Sequence, residues 1–284
     1  MTAPISREVY RKWLAMTLRQ LRPEKITLQQ AAEELGCSEG KIRHFESGRN
    51  LPMPDDIAKL MALYGTTEQT NELVSLATQI REAPSGQDLT RLAATPDGFR
   101  TYLGLEQGAR EFTEWSVLTV PGLLQTRDYA TAVMSGARHV RESEVARRVE
   151  QRMRRQGLLQ RSDDPPLVTA LFDEGALRRE VGGVSTLREQ LRHLVQVSER
   201  PNVSLRVLPF SVVVQSALYG PFIHMGFGLP NHPGYIYLED LTGGRMIEDA
   251  DVIDDYLAVV DELSAAALDE ESSRTMISEI GEAL

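Results

Sequence analysis

The stretch from Thr27 to Gly48, T-L-Q-Q-A-A-E-E-L-G-C-S-E-G-K-I-R-H-F-E-S-G, constrains this chain more than any other. The hydroxyl of Thr27 can cap the free amides of a starting helix. Ala31, Ala32 and Leu35 then recur at helical spacing. Gly36 supplies a stop, because glycine enters the left-handed region without strain. Ser38 can cap a second helix, in which Ile42 and Phe45 stand on one face. Two helices joined by about three residues, with small side chains where they cross, make a helix-turn-helix. The outer face of the second helix is then free to enter a DNA major groove.

The same residues carry a resemblance. Thr27, Ala32, Leu35, Gly36, Ser38, Ile42, Glu46, Gly48 and Arg49 follow a pattern close to T-Q-x-x-L-A-x-x-x-G-x-S-x-x-x-I-x-x-x-E-x-G-R. Residues 8–64 thereby resemble the DNA-binding domain of the Xre, or lambda-repressor-like, family. The resemblance implies a sequence-specific transcriptional regulator. It implies that Glu39, Gly40, Lys41 and His44 face base edges and that Arg43 lies near the DNA backbone. Thr27, Gln29, Ser38 and Arg49 complete the candidate DNA contacts. The family usually has Gln just after the Thr, commonly on a phosphate, and here that position is Leu28. The other reading is an αα-hairpin without a DNA role, as in an interaction adaptor or antitoxin-like protein. Ile42 and Phe45 are core on either reading.

A net charge of −10 looks wrong for a DNA binder until it is divided. Residues 1–83 hold 11 of the 31 basic and 11 of the 41 acidic residues, so the rest of the chain carries the whole excess. All four lysines (Lys12, Lys25, Lys41 and Lys59) lie in this first part. Phosphate neutralisation needs a local basic surface and not a basic protein. A neutral module binds DNA weakly alone, which favours a homodimer on a two-fold operator of double-stranded DNA.

With 284 residues the chain is long enough for about two domains. No apolar run approaches the roughly 18 residues of a membrane span, and the N-terminus has no signal-peptide pattern. The single cysteine, Cys37, sits in the turn and has no internal disulfide partner. The expectation is a cytoplasmic protein. The expected fold class is an all-α helix-turn-helix N-terminal domain (1–83), a linker (84–94), and a mixed α/β C-terminal domain (95–284).

The first domain reads as a helix over Arg7–Leu21, the paired helices of the motif, a helix from Asp55 ended by Gly65, and another over Thr67–Glu82. In the second, Phe99, Tyr102, Leu103, Leu105 and Ala109 predict a helix reaching about Glu114. Helices follow at Arg127–Gly136, Glu142–Gln160 and Val184–Ser198, and two more close the chain at 248–268 and 272–282. Strands are expected at Leu167–Phe172, Val203–Leu208, Phe222–Phe227 and Tyr235–Glu239, with Gly243-Gly244 as a turn. Strands alternating with helices indicate a mixed α/β domain.

The segments V-P-G-L-L-Q-T, L-F-D-E-G-A-L-R-R-E-V-G-G, V-S-L-R-V-L-P-F, G-P-F-I-H-M-G-F and Y-I-Y-L-E-D occur in that order. They are similar to the long C-terminal domain, without an assigned activity, that accompanies Xre modules in regulators of high-GC bacteria. The resemblance implies a role in development or antibiotic production, and a short partner protein encoded next door. The domain also has room for a pocket for a small-molecule effector. Gln125, Phe222, His224, Tyr235, Tyr237 and Glu239 are its candidate lining, and His224 and Glu239, on neighbouring strands, could converge in it, as a structural hydrogen-bonded pair rather than a catalytic one. The five histidines lack metal-ligand spacing, no nucleophile is spaced with His224 and Glu239, and neither Gly-Gly pair is a phosphate loop. No enzyme chemistry, metal or cofactor is therefore expected. Eight arginines crowd 138–161, and 239–284 holds 14 acidic residues against Arg245 and Arg274. The basic helix reads as a solvated face, as a dock for that acidic region, or as an auxiliary DNA contact.

Overall fold

The computed structural model describes residues 7–82, 97–137, 140–162, 164–229, 232–240 and 243–284; the expected linker at 84–94 lies outside them. The described residues fall into two compact units, one of 7–82 with 103–108, the other of 97–102 with 109–284.

The first unit holds α1 (Arg7–Leu21), α2 (Leu28–Leu35), α3 (Glu39–Glu46), α4 (Pro54–Tyr64) and α5 (Thr70–Glu82). Its core follows the helical periods of the sequence. Val9, Trp13, Leu14 and Leu18 come from α1, Ile42 and Phe45 from α3, and Ile57, Leu60, Met61 and Tyr64 from α4. Leu73, Leu76, Ala77 and Ile80 come from α5. Pro54 opens α4 with Asp55 and Asp56 in its first turn, where acids meet the positive end of the helix. The expected helix from Thr67 begins as a short 3-10 turn before α5.

The second unit is built on β1 (Glu111–Ser116), β2 (Leu167–Asp173), β3 (Val203–Leu208), β4 (Phe222–Gly226), β5 (Tyr235–Asp240) and β6 (Gly243–Ile247). They form one sheet in the order β3-β2-β1-β4-β5-β6. β1, β2 and β3 run parallel, and β4, β5 and β6 join antiparallel from the other side of β1. Parallel neighbours need crossovers. α7 (Arg127–Ser135) and α8 (Glu142–Arg155) link β1 to β2, while α9 (Glu174–Arg178) and α10 (Val184–Val197) link β2 to β3. α6 (Asp97–Glu106) precedes β1, and α11 (Ala250–Ala266) and α12 (Glu270–Ala283) end the chain.

One sheet face carries Trp115, Leu171, Leu208, Phe222 and Ile236, which bury against Ile253 and Leu263 of α11. The edge strand β3 is closed by the start of α12. Val207 donates its amide to Ser273 Oγ at 3.0 Å and accepts from the Leu268 amide at 2.9 Å. An otherwise open strand edge is thereby satisfied.

Two expectations are corrected. The helix read as far as Glu114 ends at Glu106, and residues 111–116 are β1. The apolar spacing of 99–109 does not continue: Gly108 closes a turn on the Leu105 carbonyl, and Phe112 and Trp115 then bury on opposite faces of a strand. Gly243-Gly244 is not a turn but the start of β6, with Gly244 opposite Glu239. Glycine is required there by close approach, since a Cβ on Gly244 would overlap the Tyr237 ring and hydroxyl.

Gly244→Ala should therefore cost about 1–3 kcal/mol through overpacking. Urea unfolding should show a lower midpoint at unchanged slope, whereas an unchanged midpoint would mean that β6 yields freely.

Candidate functional site

The α2–α3 pair is held by local chemistry. Thr27 Oγ1 accepts from the Gln30 amide at 3.2 Å, and Gln30 Oε1 accepts from the Thr27 amide at 2.9 Å, a complete capping box. Gly36 ends α2 at φ 62°, and the Cys37 amide reaches back to the Ala32 carbonyl at 2.9 Å. Ser38 Oγ accepts from the Lys41 amide at 3.3 Å and starts α3.

A contact between residues distant in the chain fixes the end of α3 against the turn that follows α1. Glu46 accepts from Arg22 Nε at 2.7 Å and Nη2 at 3.3 Å, and Arg22 Nη1 donates to the Ile26 carbonyl at 2.8 Å. This two-point fork sets direction as well as charge pairing. The Glu46 bond raises the pKa of Arg22. Burial first, and the Glu46 charge second, push Tyr64 up to about 12.

What α3 leaves outward is short-ranged and mixed in charge. Glu39, Gly40 and Arg43 are exposed, and Lys41 and His44 are half-buried. Arg43 Nη2 lies 3.5 Å from Glu39 Oε2, and Lys41 Nζ lies 3.8 Å from Asp56 Oδ2 and 5.3 Å from the centre of the Phe45 ring. Arg49 Nη1 lies 3.3 Å from His44 Nε2. Exposed pairs of this kind are worth little and exchange readily for a phosphate. The structure therefore gathers Glu39, Gly40, Arg43 and Arg49 at the surface, with Lys41 and His44 half-buried beside them. Thr27 and Ser38 have side chains committed to capping, and Gln29 donates to Glu33 at 3.0 Å. The pairings of Arg22 with Glu46 and of Asp56 with Lys41 escaped the sequence reading, because the partners lie far apart in the chain.

In the second unit, side chains alternate between the sheet faces along each strand. Register sets Ile223 opposite Tyr237 and His224 opposite Ile236. Phe222 and His224 thus share one face with Trp115, while Tyr235, Tyr237 and Glu239 share the other with Glu114. His224 and Glu239 therefore lie on opposite faces and do not converge. His224 Nε2 bonds to the Pro233 carbonyl at 2.7 Å, and Phe222 packs edge-on against Tyr256 in the core. Tyr235 is buried edge-on to Phe227 and His232. Asp173 caps the Gly175 amide, and Glu174 holds Arg178 at 2.6 Å and the Phe210 amide at 2.8 Å.

The face carrying Tyr237 collects a polar cluster instead. Gln125 is buried, donates Nε2 to the Val120 carbonyl at 2.7 Å and accepts from Arg152 Nη1 at 2.6 Å. Arg155 Nη2 reaches the Tyr102 hydroxyl at 3.3 Å, and its guanidinium lies over the Phe99 and Tyr102 rings. Ser116 Oγ donates to Glu114 Oε1 at 3.2 Å. Glu114 as a residue is only partly buried, but its carboxyl is enclosed. Burial pushes that carboxyl up to about 7, against Ser116, Arg152 and Arg155 and with help from Glu239. An open groove of about 500 Å³ along α12, lined by Leu268, Glu271, Ser272, Thr275, Met276 and Glu279, includes none of the expected ligand residues.

Residues 13–73 match a helix-turn-helix domain. Residues 99–279, more than half of the chain, match the family described as a domain of unknown function, DUF5753. The chain belongs to that family. No curated protein and no solved structure matches it. A helix-turn-helix domain ahead of a DUF5753 domain points to a DNA-binding regulator of transcription. Among the described residues of this DUF5753 chain, no helix is long and apolar enough to cross a membrane.

Glu114 makes stability depend on pH. Its folded pKa of about 7 exceeds the ordinary 4.5, so the native state holds the proton more tightly. Stability should be greatest below the unfolded value and fall by up to about 3 kcal/mol as pH rises through the folded one. Urea midpoints at pH 5 and pH 8 for wild type and Glu114→Gln check this. The variant should lose that slope, and an unchanged slope would assign it to another group.

Proposed function

We propose that this protein is an Xre-like, sequence-specific transcriptional regulator that binds a two-fold operator as a homodimer. Its C-terminal domain carries the switch, sensing a small ligand or a short partner protein encoded next door. The processes controlled are development or secondary metabolism, and the protein is cytoplasmic and not an enzyme. The observation that carries this reading is the α2–α3 pair, capped at both starts and locked by Arg22–Glu46, with Glu39, Gly40, Arg43 and Arg49 left at the surface. A recognition helix needs rigid support and an outer face held only by weak surface pairs that a duplex can displace.

The dimer follows from charge. With 11 basic and 11 acidic residues in 1–83, a single module has little phosphate attraction to spend. Two modules on half-sites about one helical turn apart double the contacts. Coupling to the C-terminal domain requires an effector that binds two arrangements of the dimer unequally.

Selection from a random duplex library with the full chain tests the reading, with a two-fold motif expected. An adaptor that only docks proteins would enrich none. On the selected operator, Lys41→Ala or His44→Ala should cost about 1–3 kcal/mol and relax one base position. Arg43→Ala or Arg49→Ala should weaken all sequences alike and lower the salt slope by about one. Unchanged affinity and base preference in Lys41→Ala would remove the assignment.

A further inference from the structure

Arg152 is partly buried as a residue, but its guanidinium is enclosed and has no paired anion among the described residues. Its one hydrogen bond among the described residues goes to a neutral amide, Gln125 Oε1 at 2.6 Å, and its Nε is buried without a partner. Among those residues it makes no ion pair; Glu114 and Glu239 act on it only through space. Burial, and next the neighbouring Arg155, lower its pKa to about 10. Buried charges are ordinarily paired, and each orphaned polar atom in a folded protein calls for a partner.

The surroundings define what that partner is. Gly122 lies against the guanidinium, where a Cβ would stand 3.6 Å from Nε, so backbone floors one side. Phe99 and Tyr102 are stacked at 5.6 Å and 11°, and Tyr102 meets Tyr237 at 4.6 Å. The Tyr237 hydroxyl is also buried without a partner, and it shares with Arg152 the charged neighbours Arg155 and Glu239. An unpartnered Arg152 Nε, a second guanidinium already lying over the Phe99 and Tyr102 rings, and an unpartnered phenol packed against Gly244 favour an anion carried on a flat apolar body. The planar fork of arginine matches a carboxylate in two-point geometry. We propose that the cluster of Arg152, Arg155, Gln125, Tyr102 and Tyr237 binds a small aromatic carboxylate. The site rests on, and gives chemical content to, the reading that this domain senses a ligand.

The test is calorimetric titration of the full chain with benzoate, salicylate and cinnamate, with benzamide as the uncharged control and inorganic phosphate as a second anion. At least one of the three carboxylates should bind saturably at one site per chain and raise the unfolding temperature, and benzamide should not. Arg152→Gln should weaken binding at least tenfold. Tyr237→Phe, which removes only a hydroxyl, should weaken it severalfold in a chain that still unfolds cooperatively. No binding by any of the three, unchanged affinity in either folded variant, or binding of phosphate alone overturns the proposal. Operator affinity is measured on the same samples. A carboxylate that binds through Arg152 without changing operator affinity keeps the site and removes the sensing reading. Failure to bind removes the site and leaves the DNA-binding reading standing.

Discussion

The pairing of β1 with a parallel strand on one side and an antiparallel strand on the other is the constraint on which the second unit depends. A strand in that position has no open edge, and it buries side chains on both faces, Phe112 on one and Trp115 on the other. Trp115 points to the layer closed by α11, and Glu114 points to the layer that holds Arg152, Arg155 and Tyr237. The same six residues thus build the apolar core and place a carboxyl where burial raises its pKa. α6 and α8 bring their aromatic and cationic side chains to the second layer, so the polar cluster is a consequence of the sheet order.

The DNA-binding unit was legible because its determinants are local. Thr27, Gly36 and Ser38 act on amides and carbonyls within five residues of themselves, and α1 and α4 follow the apolar spacing. The Arg22–Glu46 fork was not legible, since 24 residues separate its partners. β1 was missed because Glu111 and Glu114 dilute its apolar signal, and the helical spacing before it runs up to Ala109. β6 was missed because glycine normally marks a turn, and only the Tyr237 ring across the pair explains two glycines in a strand. The separation of His224 from Glu239 depends on register parity, and a one-residue shift would reverse it.

Charge patterns were visible as runs but not as directions. The arginine run of α8 divides by face. Arg148 pairs with Glu144 at 3.2 Å and Arg154 with Glu150 at 3.6 Å, while Arg152 and Arg155 turn inward. Arg148 and Arg154 thus meet acids of their own helix. Part of the acidic C-terminal region has local work as well. Asp269 caps α12 through the Ser272 amide at 2.7 Å, and Glu270 accepts from Ser204 at 2.6 Å.

If the outer face of α3 meets DNA, amide chemical shifts of the full chain on adding the selected operator will report it. The largest changes should fall on Ser38–His44 and Arg49, with lesser ones where α2 begins at Thr27. Shifts confined to other helices, with α3 unmoved at saturating operator, would contradict a DNA-facing α3.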